Sequence, residues 1–522
     1  MEEKGKIKRV LNFVIENRRL IFLMSLIFIF RIPTLYQHIF DIDESVFSEF
    51  ASKILHGAKP YIDVVDNKPI LNYYFFYAIY YIFGENLLFV HLITTIIVMI
   101  TGFFVYLIGL RLKDRNTGIF SLISFLLLSH IYEPKYISTN GETIINLLFV
   151  IGFYLFIESK YSKYENLKLF VIGILTCGAF FIRYHALFFI LGIFLYEFFI
   201  FFKEKSYLKN DYKIVKRLIS ISSGFLFALF ILVLIMIKKR FFDDFLYWTI
   251  YYNHDYIKSS QTIPLSRLLI RVLLYVLSSL PVWFFAFRYI KIEFFKILKN
   301  KILDKNFILL LIMFILSFLT VIPGKRAYGH YFILIIVFLS LLSGSGLMLK
   351  ELNYKIITLI FIIFPLGFTL PRIDLAFFGK ITNNSYEIAN TVYKKVGEYI
   401  KLNTDSNDKI FAWGFATPIY YYSSRNCLSR FIIADFLSGR IFGTKDSDKT
   451  VKREISDKVW NMFWDDIKKY GKPKYFIDTS PANFYSYSRF KLEDFKELYD
   501  FVISNYYLEN NIENILIYKL KN

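Results

Sequence analysis

Three carboxylates follow directly after a long apolar run near the start of the sequence. The run "LIFLMSLIFIFRIP" leads into "QHIFDIDESVF", whose acids are Asp41, Asp43 and Glu44. Like charges at this spacing repel one another, and at the edge of a bilayer they are also poorly solvated, so both effects cost stability. Ionisable groups that a membrane protein keeps despite this cost are functional by default. The cluster therefore indicates a functional site beside the first apolar segment.

Further ionisable residues recur at the boundaries of later apolar runs. They are Asp63, Asp66 and Lys68 in the first polar stretch, Glu142 in "STNGET", Arg183 and His185 in "FIRYHAL", His254 and Asp255 in "YYNHDY", and Lys325, Arg326 and His330 in "PGKRAYGHYF". If these boundaries lie on one side of a membrane, acids from two loops and bases from three others meet in one cavity. Ordinary alternatives stay open for single members: Asp41 and Asp63 as solvated helix caps, and His330 as a satisfied interface histidine.

The composition is that of a polytopic membrane protein. The chain has 522 residues, of which 56% are hydrophobic, its mean hydropathy is +0.44, and its charges cluster between long apolar runs. Lysine and arginine exceed the acids by 63 to 43, which basic cytoplasmic loops explain without a nucleic-acid partner. Two cysteines predict no disulfide framework, and the first apolar run lacks a small-residue cleavage site, so we expect a retained anchor.

Eleven membrane spans are predicted from the apolar runs. They cover about 19–36, 87–110, 117–132, 142–158, 168–183, 186–202, 217–237, 268–288, 306–322, 330–348 and 354–371. The Tyr-rich run 70–84 is short and ends in Gly-Glu-Asn, so an interfacial or re-entrant helix is expected there rather than a span.

Charge supports this topology. With a cytoplasmic N-terminus, six basic stretches face inside, whereas the first external loop (37–86) carries seven acids and three lysines, as the positive-inside rule requires. The basic stretch 238–240 ("KKR") falls outside against the rule, which a misplaced helix boundary or a role in holding a lipid phosphate would explain.

The last 150 or so residues differ in character. Residues 372–522 are polar and mixed, with strand-like "KIFAWG", "KYFIDT" and "NILIYKL" and helix-like stretches near 385–403, 450–470 and 491–503. The predicted fold is therefore a polytopic α-helical membrane domain (1–371) followed by a small extracytoplasmic α/β domain (372–522).

The first external loop resembles that of the GT-C superfamily glycosyltransferases. The run "DESVFSEFASKILHGAKPYIDVVDNKPILNYYFFYAIYYIFG" has the Asp43-Glu44 pair, then Gly57-x-x-Pro60-Tyr61, Lys68-Pro69 and a closing Phe83-Gly84. It is most similar to glycosyltransferase family 39, which includes protein O-mannosyltransferases and the aminoarabinose transferase of lipid A. The second-loop acid, the Arg183 turn, "NHDY" and "YGHYF" add to the likeness.

The resemblance implies an enzyme of the plasma membrane that moves a sugar from a polyprenyl-phosphate donor to an acceptor hydroxyl of a glycan, lipid or protein, usually with inversion. Asp43 is then the general base, and Glu44 orients the acceptor or holds Asp43. The cations Lys68, Arg183, Lys325 and Arg326 are expected to bind the leaving phosphate. Glu142, His254 and His330 complete the expected substrate-binding set.

No cofactor is assigned, and a divalent metal stays an open alternative. Some relatives bind a metal through a carboxylate immediately before Lys-Pro and a loop-four histidine. Here that place is Asn67, although His254 remains and Asp66 is a substitute acid. The absence of a WWDYG-like stretch argues against an oligosaccharyltransferase. A transporter or flippase for lipid-linked glycans is the alternative from another class, and a non-catalytic relative with a glycan-binding tail is a third.

Overall fold

The computed structural model describes residues 2–35, 39–130, 137–204, 212–254, 264–300, 303–322, 325–347, 385–441 and 454–522, with positions 363 and 452. The first part of the chain is helical. Its helices are α1 (Glu2–Arg31), α2 (Ile42–Leu55), α3 (Leu71–Phe83), α4 (Leu87–Leu112), α5 (Arg115–Leu128), α6 (Gly141–Ser159), α7 (Glu165–Phe180), α8 (Phe188–Lys203), α9 (Lys213–Lys238), α10 (Phe242–Leu246), α11 (Leu265–Ser278), α12 (Leu280–Asn300), α13 (Lys305–Leu319) and α14 (Ile336–Gly346).

The chain is an integral membrane protein. Among the described residues, five helical stretches are long and apolar enough to cross a bilayer, and a bent pair makes a sixth. The five are Leu87–Leu112, Gly141–Ser159, Tyr184–Lys203, Lys213–Lys238 and Gly329–Gly346. Two shorter apolar helices, α5 and α13, lie where spans are predicted. The predicted span 354–371 lies outside the described residues, so the count of eleven stays a prediction.

The bundle has two ends with different chemistry. At the first, which we call the loop end, the Arg31 side chain at the end of α1 donates to Ile137 O over 2.8 Å, and Leu71 N at the start of α3 donates to Phe181 O. At the opposite, far end, Arg111 pairs with Glu158 over 2.6 Å. Alternating helices therefore connect one end to the other.

Helix α3 belongs wholly to the loop end. It has 13 residues, and it packs along α2, where Tyr80 and Ser48 share a hydrogen bond of 2.6 Å. Leu71 N, at the first residue of α3, donates to Phe181 O at the end of α7. A short connection then leads from α3 to the start of α4, where Leu87 N donates to the Tyr421 hydroxyl. This arrangement agrees with the interfacial helix expected for 70–84.

One predicted span has different bounds in the structure. Helices α11 and α12 meet at Ser279 with a bend of 91°, so the predicted 268–288 crosses a break rather than a single helix. Helix α12 instead continues through Arg288 and the lysines after it to Asn300. Long basic side chains keep their charge in water while their stems line an apolar helix, which is why a loop was predicted there.

The C-terminal part contains a mixed four-stranded sheet. Its strands are β1 (Ile410–Trp413), β2 (Tyr475–Asp478), β3 (Tyr506–Ile512) and β4 (Ile515–Leu520), and its helices are α15 (Ser385–Leu402), α16 (Pro418–Ser423), α17 (Asp435–Ser438), α18 (Asp457–Tyr470) and α19 (Lys496–Asn505). The strand order is β1-β2-β4-β3, with β1 parallel to β2 and the other pairs antiparallel. A tight turn at Glu513 and Asn514, both at positive φ, joins β3 to β4.

The C-terminal part (385–441 and 454–522), which we call the sheet region, packs directly on the first loop. The Lys53 ammonium at the end of α2 donates to the carbonyls of Cys427 (3.0 Å) and Ser429 (2.6 Å). Val65 N bonds Arg430 O over 2.9 Å. Buried side chains of α2, α3 and the sheet region form one hydrophobic cluster, so the first loop is held between the bundle and the C-terminal region.

Candidate functional site

The acidic cluster forms the first turn of α2. Asp41 precedes the helix with an extended backbone, and its carboxylate accepts from Asp43 N over 3.4 Å, which is an N-cap. Asp41 is fully buried, so the structure supports the capping alternative but not a solvated cap. Asp43 and Glu44 then occupy the positions where the positive end of the helix dipole favours carboxylates.

Glu44 turns away from its neighbour into the bundle. Its carboxylate lies 3.1 Å from the ring of His91 in α4 and accepts from the backbone N–H groups of Phe40 and Thr139. The other nitrogen of His91 bonds Thr34 O over 2.7 Å. Burial alone would raise the pKa of Glu44, but His91 and the two backbone donors outweigh it and lower the pKa. Glu44 therefore ties α2 to α4 and to the second loop as an anion.

Asp43 faces a lysine from the same loop. Its Oδ1 lies 3.6 Å from Lys68 Nζ, which is also 3.4 Å from Asp66 Oδ2. Asp66 in turn accepts from the Tyr73 hydroxyl over 2.7 Å, which fixes the second carboxylate. Both Asp43 and Lys68 keep about a sixth of their side chains exposed, at 17% and 16%, so a substrate has access to this pair.

A second ion pair lies next to the first. Glu142 opens α6, is fully buried, and lies 3.2 Å from Nε of Arg183, which follows α7. Asp43 is close enough to act electrostatically on both members of this pair. Two carboxylates and two cations from three separate stretches thus share the loop end of the bundle.

The fifth-loop residues complete the cluster. One ring nitrogen of His330 and one carboxylate oxygen each from Asp41 and Asp43 lie within 4.8 Å of one another. Tyr331 lies close enough to Arg183 and to Arg326 for both charges to act on it electrostatically. Arg326 therefore lies in the same region as Arg183. The predicted grouping of Asp43, Lys68, Glu142, Arg183 and the fifth loop is therefore present as a spatial cluster, whereas its role in binding or catalysis stays a prediction.

The fifth-loop turn has a constrained backbone. Lys325 and Ala327 both adopt left-handed conformations, with φ of 54° and 40°. Arg271 of α11 donates to the carbonyls of Arg326 (2.9 Å) and Ala327 (3.3 Å). This clamp from α11 fixes the turn that presents Arg326. Lys325, one residue earlier, is half-buried, and no described contact joins its side chain to Asp43.

The fourth loop reaches the site through a residue that was not predicted. His254 is exposed at the end of its helix, whereas the neighbouring Asn253 exchanges hydrogen bonds with Asn67: Asn67 Nδ2 donates to Asn253 Oδ1 over 2.9 Å, and Asn253 Nδ2 donates to Asn67 O over 2.7 Å. The Asn67 side chain offers a cation a neutral amide oxygen where the resemblance implies a charged carboxylate, so it is a weaker ligand at that place. Asp41, Asp43 and His330 are the described residues whose donors do suit a divalent cation.

Two further site residues escape sequence reasoning. His91 stands alone in an apolar run, "LLFVHLITT", and only the fold reveals Glu44 as its partner. Asn72 is 1% exposed, and among the described residues neither amide atom has a hydrogen-bond partner. It lies against Gly141, where a Cβ would be 2.9 Å from Asn72 Oδ1 and 3.6 Å from Arg183 Nε. A polar residue after "KPIL" was its only sequence signal.

Comparison with known proteins agrees with this architecture. Residues 67–237, about a third of the chain, match the family model described as dolichyl-phosphate-mannose-protein mannosyltransferase. The crystal structure of ArnT from Cupriavidus metallidurans bound to undecaprenyl phosphate superposes with a TM-score of 0.63 at 8% identity, covering 96% of this chain and 98% of that one. The apo form of the same protein gives 0.61 at 9% identity, covering 96% and 97%.

A looser likeness is to the oligosaccharyltransferase of Archaeoglobus fulgidus, with a TM-score of 0.49 at 11% identity over 98% of this chain and 74% of that one. No curated protein sequence matches the chain. The fold is therefore that of ArnT, a GT-C glycosyltransferase, over nearly the whole chain. At 8% identity this likeness concerns architecture and leaves substrate and residue roles to the site itself.

Proposed function

We propose that this chain, which has the GT-C fold and a mannosyltransferase-like membrane region, transfers a sugar from a polyprenyl-phosphate carrier to an acceptor hydroxyl. The observation that carries the proposal is the 3.6 Å contact between Asp43 and Lys68. Both side chains are partly exposed, and they lie beside the Glu142–Arg183 pair. Transfer from a lipid phosphate requires a base that removes the acceptor proton and cations that stabilise the leaving phosphate. A carboxylate beside cations at one end of an apolar bundle can supply both.

Asp43 acts as the general base. As the acceptor oxygen attacks the anomeric carbon, its proton passes to an Asp43 carboxylate oxygen, while the bond from that carbon to the phosphate oxygen breaks. The electron pair of that bond leaves with the phosphate, so one displacement inverts the anomeric centre. Lys68 pairs with Asp43 before the attack, and Glu44 positions Asp43 by fixing the first turn of α2.

The cations receive the leaving phosphate. Arg183 and Arg326 come from different loops and lie around the same tyrosine, Tyr331. A planar guanidinium can bind two phosphate oxygens at once, and its charge stabilises the negative charge that develops there. Glu142 orients Arg183 through their 3.2 Å contact. His330 and Asn72 line the same region and are proposed to contact the donor sugar or the acceptor. Lys325, which is half-buried, and His254, which is exposed, are proposed as contacts for the approaching carrier.

The membrane arrangement follows from the same site. The ion pairs and basic residues of the far end suit the cytoplasmic face, so the loop end and the C-terminal region (372–522) are proposed to face outward, from a plasma-membrane domain of 1–371 with eleven spans. A carrier in the bilayer then reaches Asp43 laterally, and an acceptor glycan, lipid or protein reaches it from the aqueous side. The undecaprenyl phosphate bound to ArnT makes a polyprenyl carrier the natural choice.

A flippase is less well supported. A transporter needs polar groups along a path through the bilayer, commonly between repeated halves. Here the buried acids and cations described above gather at the loop end. No specific observation favours transport over transfer, so it enters as an outcome of the test.

The test is direct transfer by the purified protein. A radiolabelled polyprenyl-phosphate sugar is incubated with candidate acceptors in detergent, and label transfer is counted. Asp43→Asn should reduce transfer by about 10²–10⁴-fold, the usual contribution of a general base. Asp63→Asn is the matched control, because Asp63 lies in the same loop but bonds Lys59 N and Lys469. Undiminished transfer by Asp43→Asn would remove the base assignment, and movement of lipid across vesicles without transfer would favour a flippase.

A further inference from the structure

Two adjoining cavities lie along the outer face of α12. The first, about 710 Å³, is lined by apolar side chains that include Leu280, Trp283, Phe284 and Phe287. The second, about 480 Å³, is lined by cationic side chains together with Ile292 and Phe295. Arg288 and Lys291 line both cavities, so the two form one continuous groove with an apolar part and a cationic part.

The apolar part suits a hydrocarbon chain. Phe284 and Phe287 expose 61% and 56% of their surface on this face, while Trp283 forms the inner wall at 5%. Val276, near the end of α11, also lines this part, so the 91° bend between α11 and α12 lies beside the groove. A recess in a lipid-facing helix that is lined by rings holds an acyl chain more firmly than a smooth helix face, because the chain contacts protein on several sides.

The cationic part suits a phosphate. Arg288, Lys291, Lys296 and Lys299 line it, and Glu293 of the same helix pairs with Lys296 over 2.6 Å. Lys291 also lies 6.0 Å from the centre of the Phe295 ring. Among the described residues, no carboxylate pairs with Lys291 or Lys299. Clusters of basic residues next to a membrane helix attract anionic headgroups by about 1 kcal/mol per residue.

The order of the two parts along α12 matches a lipid. The helix runs from the loop end at Leu280 to the far end at Asn300, where Tyr289 packs on Phe307 at the start of α13. The cationic part therefore lies toward the far surface of the bundle, and the apolar part lies deeper. Eight residues of helix from Leu280 to Arg288 span about 12 Å, which fits a headgroup at the surface with a chain reaching inward.

We propose that this groove binds one anionic glycerophospholipid from the leaflet at the far end of the bundle. The site is separate from Asp43 and does not depend on the transfer reaction. A free phosphate or nucleotide would leave the aromatic part unused, and a neutral phospholipid would offer Lys291 and Lys299 no net negative charge. The combination selects a lipid with both a chain and an anionic head.

Quenching of Trp283 provides the test. The full-length protein is placed in phosphatidylcholine nanodiscs that contain a few per cent of phosphatidylglycerol or phosphatidylcholine with brominated chains. The signal is the difference in fluorescence between the native protein and Trp283→Phe. We expect the brominated phosphatidylglycerol to quench at much lower mole fraction than the brominated phosphatidylcholine. Lys291→Gln with Lys299→Gln removes two charges, and about 1 kcal/mol for each gives about a 30-fold weaker apparent affinity.

Lys163→Gln with Lys168→Gln is the matched control, since Lys163 lies between α6 and α7 at the far end, Lys168 lies in the first turn of α7, and neither lines the groove. This control should keep the preference for the anionic lipid. Equal quenching of the native protein by the two brominated lipids would overturn the proposal, because it would mean ordinary bilayer contact. Equal weakening in the control pair would also overturn it, because general surface charge would then explain the binding.

Discussion

Glu44 Oε1 and His91 Nε2 form a buried contact of 3.1 Å that joins the loop carrying Asp43 to the membrane helix α4. Both side chains are fully buried, and the backbone N–H groups of Phe40 and Thr139 satisfy the rest of the carboxylate. Two adjacent acids therefore have different surroundings: Asp43 lies beside Lys68 with 17% of its side chain exposed, and Glu44 holds the first turn of α2 against α4.

This division predicts that Glu44 acts through stability and position. Removing Glu44 leaves the His91 ring and two backbone N–H groups buried without this acceptor, and each such group costs about 1–3 kcal/mol. Glu44→Ala should therefore lower the thermal midpoint strongly, and Glu44→Gln, which keeps the shape and an acceptor, should lower it less. Glu85→Ala, an exposed acid of the same loop, is the control. A Glu44→Ala protein of native stability would contradict this role.

The sequence predicts which of these charged residues lie near one another better than it predicts the contacts that each of them makes. Asp43, Lys68, Glu142 and Arg183 stand at boundaries of apolar runs, and a charge-derived topology is enough to place them at one end of a bundle. The opposite directions of Asp43 and Glu44 were not predicted. Successive residues of a helix point about 100° apart, but which one faces the core depends on the packing of α2 against α4.

Other features lie beyond local sequence patterns. The 91° bend at Ser279 does not interrupt the apolar pattern, so a single span was predicted. Strand β3 (Tyr506–Ile512) is mostly polar, and it was missed because it is an edge strand whose outer face meets water. The Asn67–Asn253 pair joins residues 186 apart, and no spacing rule links such amides.

Glu49 predicts a pH dependence of stability. Burial raises its pKa to about 7, although Lys53 and the N–H of Cys427 oppose the shift. The folded protein thus retains a proton that the unfolded chain releases above its usual pKa, so stability is lost as pH rises from about 4.5 to 7. A shift of this size corresponds to about 3 kcal/mol.

The comparison that isolates this effect uses Glu49→Gln. Its thermal midpoint should exceed that of the native protein at pH 8 and converge with it at pH 5, because Gln cannot ionise. The neighbouring Glu85→Gln, which is exposed, should show no such pattern. A constant difference between the native protein and Glu49→Gln at every pH would show that Glu49 does not titrate in this window.

Removal of divalent cations by a chelator distinguishes Asp43 as a general base from Asp43 as a metal ligand. A cation held by Asp41, Asp43 and His330 would occupy the lone pairs that Asp43 needs as a base. If Asp43 is the base, dialysis against EDTA should leave transfer within about twofold of the untreated enzyme. Loss of transfer that Mn²⁺ or Zn²⁺ restores, together with the same loss in His330→Gln, would make these three residues a metal site instead.

Asn72 predicts a trade between stability and activity. Its two amide atoms are buried without partners among the described residues, and each unsatisfied polar group costs about 1–3 kcal/mol. Such a cost is tolerated where a substrate supplies the missing hydrogen bonds. Asn72→Leu, which has nearly the same shape, should therefore raise the thermal midpoint while lowering transfer, mainly through weaker binding of the donor or acceptor.

Asn146→Leu is the control for Asn72→Leu, because Asn146 Nδ2 already donates to Ile333 O over 2.7 Å. Loss of this hydrogen bond should destabilise the protein. If Asn72→Leu destabilises the protein as Asn146→Leu does, Asn72 has a structural role and is not a ligand-binding residue.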